Sequence, residues 1–127
     1  KDCKISHKVT RNNPNYAFRY VNFIEVNVPL FNRKALDKLM EVYDPVLIGW
    51  GIDYTYIWAN GLSNKTKYAL NDEITCINPQ DTAKGGKREL SLLKKANDRA
   101  RIYNEFARKY GIPTIVGKTY KGVEKQN

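Results

Sequence analysis

The sequence predicts a mixed α/β chain of short strands flanked by helices and closed by one long C-terminal helix. Three observations carry this. Apolar runs of strand length alternate with stretches of helical period, Gly and Pro mark most junctions, and the segment 87–110 holds the longest helical stripe. At 127 residues the chain suits a single domain or a fragment of one, with a real core but little room for a complete nucleotide-dependent enzyme.

Taken in order, residues 5–10 read as a short extended piece and Asn12-Asn13-Pro14-Asn15 as a turn. His7 is the only histidine, and with no other ligand type at metal spacing it reads as structural or merely exposed. The run 17–31 gives the strongest strand signal, alternating at Val21, Phe23, Val26 and Val28 until Pro29 ends the ladder. Glu25 and Asn27 fall on the opposite face. A solvated sheet face is the ordinary reading, yet a lone carboxylate in a run with few charges makes Glu25 a candidate site residue.

Asn32 is placed to cap a helix over 33–43, with the stripe Leu36, Leu39, Met40 and Tyr43, which Asp44-Pro45 stops. Val46, Leu47 and Ile48 then have the composition of a buried strand end. Gly49 and Gly51 give the backbone freedom for a close turn around Trp50. From Ile52 the apolar positions Tyr56, Ile57 and Trp58 fit a short helix ended by Asn60-Gly61, which puts Asp53 in its first turn.

A carboxylate there has an ordinary role, complementing the exposed N–H groups and the positive end of the helix. The functional reading notices that Asp53 lies among Trp50, Tyr54 and Tyr56, where aromatic faces can stack on sugars or bases. Burial beside them would raise its pKa toward that of a useful general base.

Beyond a polar loop at 63–67, residues 68–70 and 73–77 read as extended pieces around Asn71-Asp72. The loop 80–87 could cradle phosphate through its backbone and Lys84, Lys87 and the following Arg88, although it lacks Walker spacing. The last helix carries Leu93, Ala96, Ala100, Tyr103, Ala107 and Tyr110 on one stripe, Gly111 stops it, and the basic, glycine-containing tail 114–127 is expected to fray at its end.

Lys and Arg number 22 against 13 Asp and Glu, a surplus of +9 that favours a polyanionic partner: nucleic acid, an anionic membrane surface or a phosphorylated substrate. Cys3 and Cys76 form no metal signature and no disulfide framework, so a reducing, cytoplasmic setting, free or peripheral to a membrane, is expected. No apolar run approaches the length of a transmembrane segment, and residues 1–10 have no signal core.

The strings Ser6-His7, Arg19-Tyr20-Val21-Asn22-Phe23-Ile24-Glu25, Pro29-Leu30-Phe31, Ala35-Leu36 and Gly49-Trp50-Gly51-Ile52-Asp53-Tyr54 resemble an uncharacterised family of GT-A-type glycosyltransferases of bacteria and plants. The family pattern is R-Y-x-N-F-V-E, then P-x-F, then G-W-G-L-D-F. The resemblance covers most of this chain but only the C-terminal portion of a GT-A fold. It implies transfer of a sugar from a nucleotide-sugar donor to a glycan or other hydroxyl acceptor. Asp53 would be the catalytic base or the ligand of the acceptor hydroxyl, Trp50 a sugar-stacking wall and Glu25 a supporting polar residue, with Gly51, Tyr54 and Arg19 also on the substrate side; Lys84, Lys87 and Arg88 of the basic loop remain the phosphate-binding candidates. It also implies a divalent metal, Mn²⁺ or Mg²⁺, in the complete enzyme, and a separate N-terminal half carrying the acidic D-x-D motif. Cys76 stands where the family usually has a histidine, and thiolate is a poor ligand for Mg²⁺. The competing expectation is a small basic module that grips RNA or another polyanion without catalysis.

Overall fold

The computed structural model describes residues 7–76 and 98–126. Within them the chain is mixed α/β: three helices and a three-stranded antiparallel sheet. The central strand is β1 (Tyr16–Val21), flanked by β2 (Tyr68–Asn71) and β3 (Thr119–Glu124), in the order β2-β1-β3. Its sequence YAFRYV alternates, and register fixes which side chains share a face. Arg19 lies opposite Leu70 and Gly122, and Val21 opposite Tyr68 and Thr119. Val21 is fully buried with Phe23 and packs on Val9 in the smaller of two apolar clusters.

A buried ion pair ties this sheet together. Arg19 Nε and Nη2 donate to Asp72 Oδ2 and Oδ1 at 2.7 and 2.9 Å, a bidentate arrangement with both side chains almost fully enclosed. Nη2 also donates to the Arg11 carbonyl and Nη1 to Thr119 Oγ1. Asp72 accepts a further bond from the Asn13 N–H, while its own N–H reaches the Ala17 carbonyl. One residue of β1 therefore joins the N-terminal turn, the end of β2 and the start of β3.

The larger cluster lies among the helices α1 (Arg33–Val42), α2 (Ile52–Asn60) and α3 (Arg99–Tyr110), with Leu47, Ile57, Tyr103, Phe106 and Ile112 inside it. Ile24, Tyr54, Tyr68 and Ile115 touch both clusters and make them continuous. Asn32 caps α1 by accepting from the Ala35 N–H, Gly61 closes α2, and Gly111 closes α3 in a left-handed conformation. Asn60 Nδ2 donates to the Ala35 carbonyl, fastening α2 to α1.

Several expectations are corrected. The strand expected over 17–31 stops at Val21, because a register shift follows Tyr20 and Asn22 bonds the 116–118 segment through both backbone and side chain. Phe23 turns into the core and the remainder is irregular. The 46–48 piece is not a strand: Pro45–Leu47 is a 3₁₀ turn capped by Asp44, whose carboxylate accepts from the Val46 N–H. Residues 8–10 are likewise a 3₁₀ turn rather than extended, and 73–76 form no strand. In α1 only Leu39 of the expected stripe is buried, with Leu36, Met40 and Tyr43 exposed. In α3 the buried side chains are Ile102, Tyr103 and Phe106, while Tyr110 is exposed. The tail also holds a strand that the sequence reading did not expect, since β3 fills the free edge of β1. The loop 80–87 and the first turns of the expected 87–110 helix lie outside the described residues.

Burial pushes the Asp72 carboxyl up, but the Arg19 guanidinium and the Asn13 N–H outweigh it and hold it below the ordinary carboxylate range. A depressed folded value stabilises above the unfolded one and is lost as pH falls through the folded one. Arg19→Met should therefore lower stability at pH 7 by about 3–5 kcal/mol, the cost of stranding a buried charge. Urea unfolding at pH 7 and in a series below pH 4 checks both points. The variant should lose much of the acid sensitivity that the ion pair gives the parent.

Candidate functional site

The Gly-Trp-Gly turn is held by backbone geometry. Ile48, Gly49 and Gly51 have φ of 48°, 71° and 74°, so three of four successive residues lie in the left-handed region. For a β-branched residue such as Ile48 that conformation is strained. The Trp50 N–H closes the turn on the Leu47 carbonyl, and Gly51 caps α2. Gly51 is required twice, because a Cβ there would also lie 2.2 Å from Tyr103 Cδ2. At Gly49 a Cβ would meet nothing within 4 Å.

From that contact a column of rings runs outward. Tyr103 stacks on Tyr54 (centroids 6.0 Å), Tyr54 leans on Phe23 (5.4 Å), and Phe23 meets His7 (4.4 Å). Asp53 stands beside this column, only 8% exposed, with Oδ1 accepting from the Tyr54 N–H at 3.0 Å.

Burial is the largest influence on Asp53 and pushes its carboxyl up; the Tyr54 N–H and the charge of His7 pull it down, and nearby Glu25 pushes it up again. The outcome is a carboxyl raised above its ordinary range. Burial, with the Asp53 charge added, also raises the phenol of Tyr54, that of Tyr56, and that of Tyr103, the last to about 12. The Tyr56 hydroxyl donates to the Ile24 carbonyl, which leaves it a structural anchor. The arrangement thus offers one carboxylate that can take up a proton near an aromatic wall, with one imidazole and a second carboxylate within electrostatic reach.

The expected site residues separate into groups. Gly51, Asp53 and Tyr54 are together, and Glu25, whose Oε1 accepts from Asn27 at 2.7 Å, acts on Asp53 through its charge. Trp50 is 46% exposed and has the Arg99 guanidinium 5.0 Å from its ring centroid, so a cation already occupies one face. Arg19 is elsewhere, with its guanidinium committed to Asp72, Arg11 and Thr119. Lys84, Lys87 and Arg88 lie outside the described residues. His7 and Tyr103 complete the site, and sequence reasoning did not include them. A lone histidine carries no spacing signal, and Tyr103 showed only as one position of a helical stripe.

A divalent cation does not fit the described residues. Among them no three His, Cys, Asp or Glu side chains converge, Asp72 is consumed by Arg19, and Cys76 is exposed. No described helix is long and apolar enough to cross a membrane. Compared with protein-family models, curated proteins and solved structures, the chain matches none.

The raised Asp53 carboxyl has a consequence for stability. The folded state keeps its proton to higher pH than the unfolded state, so this group costs stability as pH rises above the unfolded value near 3.9. Asp53→Asn removes that cost while its amide oxygen can still accept from Tyr54. The variant should melt higher than the parent at pH 7, with the gap closing toward pH 3. Differential scanning calorimetry across that range reads it directly.

Proposed function

We propose that the chain forms the acceptor side of a sugar transferase that uses a nucleotide-sugar donor. The observation that carries this reading is the Asp53 carboxyl, buried at the start of α2 beside an aromatic column and raised by that burial. A carboxylate so placed costs stability, and such groups concentrate where proton transfer is needed. In the reaction Asp53 accepts the proton of an acceptor hydroxyl, whose oxygen bonds to the anomeric carbon as the bond to the diphosphate breaks. The nucleoside diphosphate leaves. Trp50, with one ring face left open by Arg99, and Tyr54 border the acceptor sugar, and the charge of Glu25 adds to the rise that burial gives the Asp53 pKa.

In this reading the donor diphosphate and any Mn²⁺ or Mg²⁺ belong to a D-x-D-bearing half outside these 127 residues, and the cations of Lys84, Lys87 and Arg88 are the groups assigned to neutralise the leaving diphosphate. Much of the rate in such a transfer comes from positioning both substrates together.

One observation favours the second reading, a catalytically silent polyanion-binding module. Lys121 lies directly opposite Tyr20 in the sheet, and Lys118 Nζ stands 5.8 Å from the Tyr120 ring centroid, a pairing of cations and rings suited to single-stranded nucleic acid.

Two-dimensional ¹⁵N NMR of the chain titrated with a panel of neutral glycans separates the two. The transferase reading expects shifts centred on Gly49, Gly51, Asp53, Tyr54 and the Trp50 indole, and no release of nucleoside diphosphate from nucleotide sugars by this chain alone. If glycans leave those signals unmoved while single-stranded RNA binds with a log–log salt slope near −0.7 per phosphate contact, the module reading replaces it.

A further inference from the structure

The molecule has a second recess that the candidate site does not use. It lies between α3 and the 3₁₀ turn Pro45–Leu47, a cleft of about 390 Å³, which is the size of a small-molecule site. Ile102 and Phe106, both buried, form its floor, and the half-exposed Val46 and Tyr110 stand at its sides. Asp44, Arg101, Glu105 and Lys109 ring it, all exposed.

Two carboxylates thus face two cations, and the charges balance. Arg101 Nη1 donates to Glu105 Oε1 at 2.8 Å, an exposed pair of little energetic weight that leaves other N–H donors on the guanidinium. Asp44 engages the Val46 N–H through Oδ1, and a carboxylate has a second oxygen to offer. Such a rim has no surplus with which to hold a polyanion. A lipid or other apolar ligand would strip its four charged groups of water. A helix and a 3₁₀ turn offer no free strand edge to which an extended peptide could add. A neutral polyhydroxyl compound fits. Each hydroxyl both gives and accepts a hydrogen bond, so neighbouring hydroxyls can bridge a carboxylate and a cation while the C–H face of a sugar ring lies on the apolar floor.

Both sides of the cleft lead to Trp50. The 3₁₀ turn runs straight into the Gly-Trp-Gly turn, where the Trp50 N–H bonds the Leu47 carbonyl. Across from it, Arg99 at the start of α3 holds its guanidinium over the Trp50 ring, and Arg99, Ile102, Phe106 and Tyr110 follow one another along one helical face. From Arg99 to Tyr110 the helix rises about 16 Å, more than one sugar ring spans. We propose that this cleft is a second carbohydrate subsite, holding the neutral sugar next to the one at Asp53, so that the acceptor is an oligosaccharide and not a single sugar. Asp44 and Glu105 accept from its hydroxyls, Arg101 and Lys109 donate to them, and Trp50 stands at the junction of the two subsites. This assignment rests on the transferase reading and adds to it that the acceptor is neutral and longer than one sugar.

The test is ¹⁵N NMR of the full chain titrated with neutral gluco-, galacto- and manno-oligosaccharides of one to four sugars, with a sulfated oligosaccharide and single-stranded RNA as charged controls. The Arg101→Ala/Glu105→Ala variant is measured beside the parent; both side chains are exposed, so circular dichroism should show the same fold. At least one tetrasaccharide is expected to move the signals of Val46, Arg101, Glu105 and Tyr110 together with those of Gly51, Asp53 and Tyr54, whereas its monosaccharide moves the Asp53 group alone. The variant should bind that tetrasaccharide about tenfold more weakly and the monosaccharide as the parent does. A tetrasaccharide that moves only the Asp53 group, or that the variant binds as well as the parent, overturns the second subsite and leaves the transferase reading standing. Cleft signals that move while the Asp53 group stays silent overturn both, as does silence of both groups toward every neutral sugar. Cleft signals that answer only to the charged controls overturn the neutral ligand.

Discussion

The close approach of Gly51 to the Tyr103 ring is the constraint around which the site is arranged. It brings the start of α2 against the middle of α3 with no side chain between them, something only glycine permits at that distance and φ. Because Tyr103 is fixed there, Tyr54 can stack on it, Phe23 on Tyr54, and His7 on Phe23. The column links α3, α2, the segment after β1 and the N-terminal turn, and Asp53 is enclosed beside it. The strained φ at Ile48 is consistent with a turn whose geometry is set by the packing of α2 against α3.

Two aspartates show how far surroundings decide the behaviour of one side chain. Asp72 and Asp53 are 3% and 8% exposed, so both lose solvation. Asp72 meets a bidentate guanidinium and a backbone N–H, and its carboxyl is held down. Asp53 has the Tyr54 N–H and a more distant imidazole, too little to offset its burial, and its carboxyl is pushed up. The first fastens the sheet. The second adds nothing to stability at neutral pH, and that imbalance separates a structural carboxylate from a candidate for proton transfer.

Local signals were legible in the sequence wherever the chain itself supplied the partner. Asn32 caps α1, Gly61 and Gly111 end α2 and α3, and Asp53 falls in the first turn of α2, all from short-range chemistry. The expectations that failed depended on distant partners. The apolar alternation through Val28 looked like one strand, but the side chains beyond Phe23 have no sheet to face and the 26–30 tip is exposed instead. TYKGVE reads as a polar tail and becomes β3 because the edge of β1 needs a partner. Arg19 fitted a substrate-binding motif, yet its partner lies 53 positions away at Asp72, a pairing no local pattern reveals. His7 gave no signal for the same reason.

Comparing Gly49→Ala with Gly51→Ala by urea unfolding tests the central role of the Gly51–Tyr103 contact most directly. Both substitutions place a side chain at positive φ, so both should lose on the order of 1 kcal/mol to backbone strain. Only Gly51→Ala drives a methyl into Tyr103, so its total cost should reach on the order of 3 kcal/mol, with the Tyr54 and Phe23 ring resonances shifting in its NMR spectrum. Equal costs for the two variants, with those resonances unmoved in Gly51→Ala, would contradict the account.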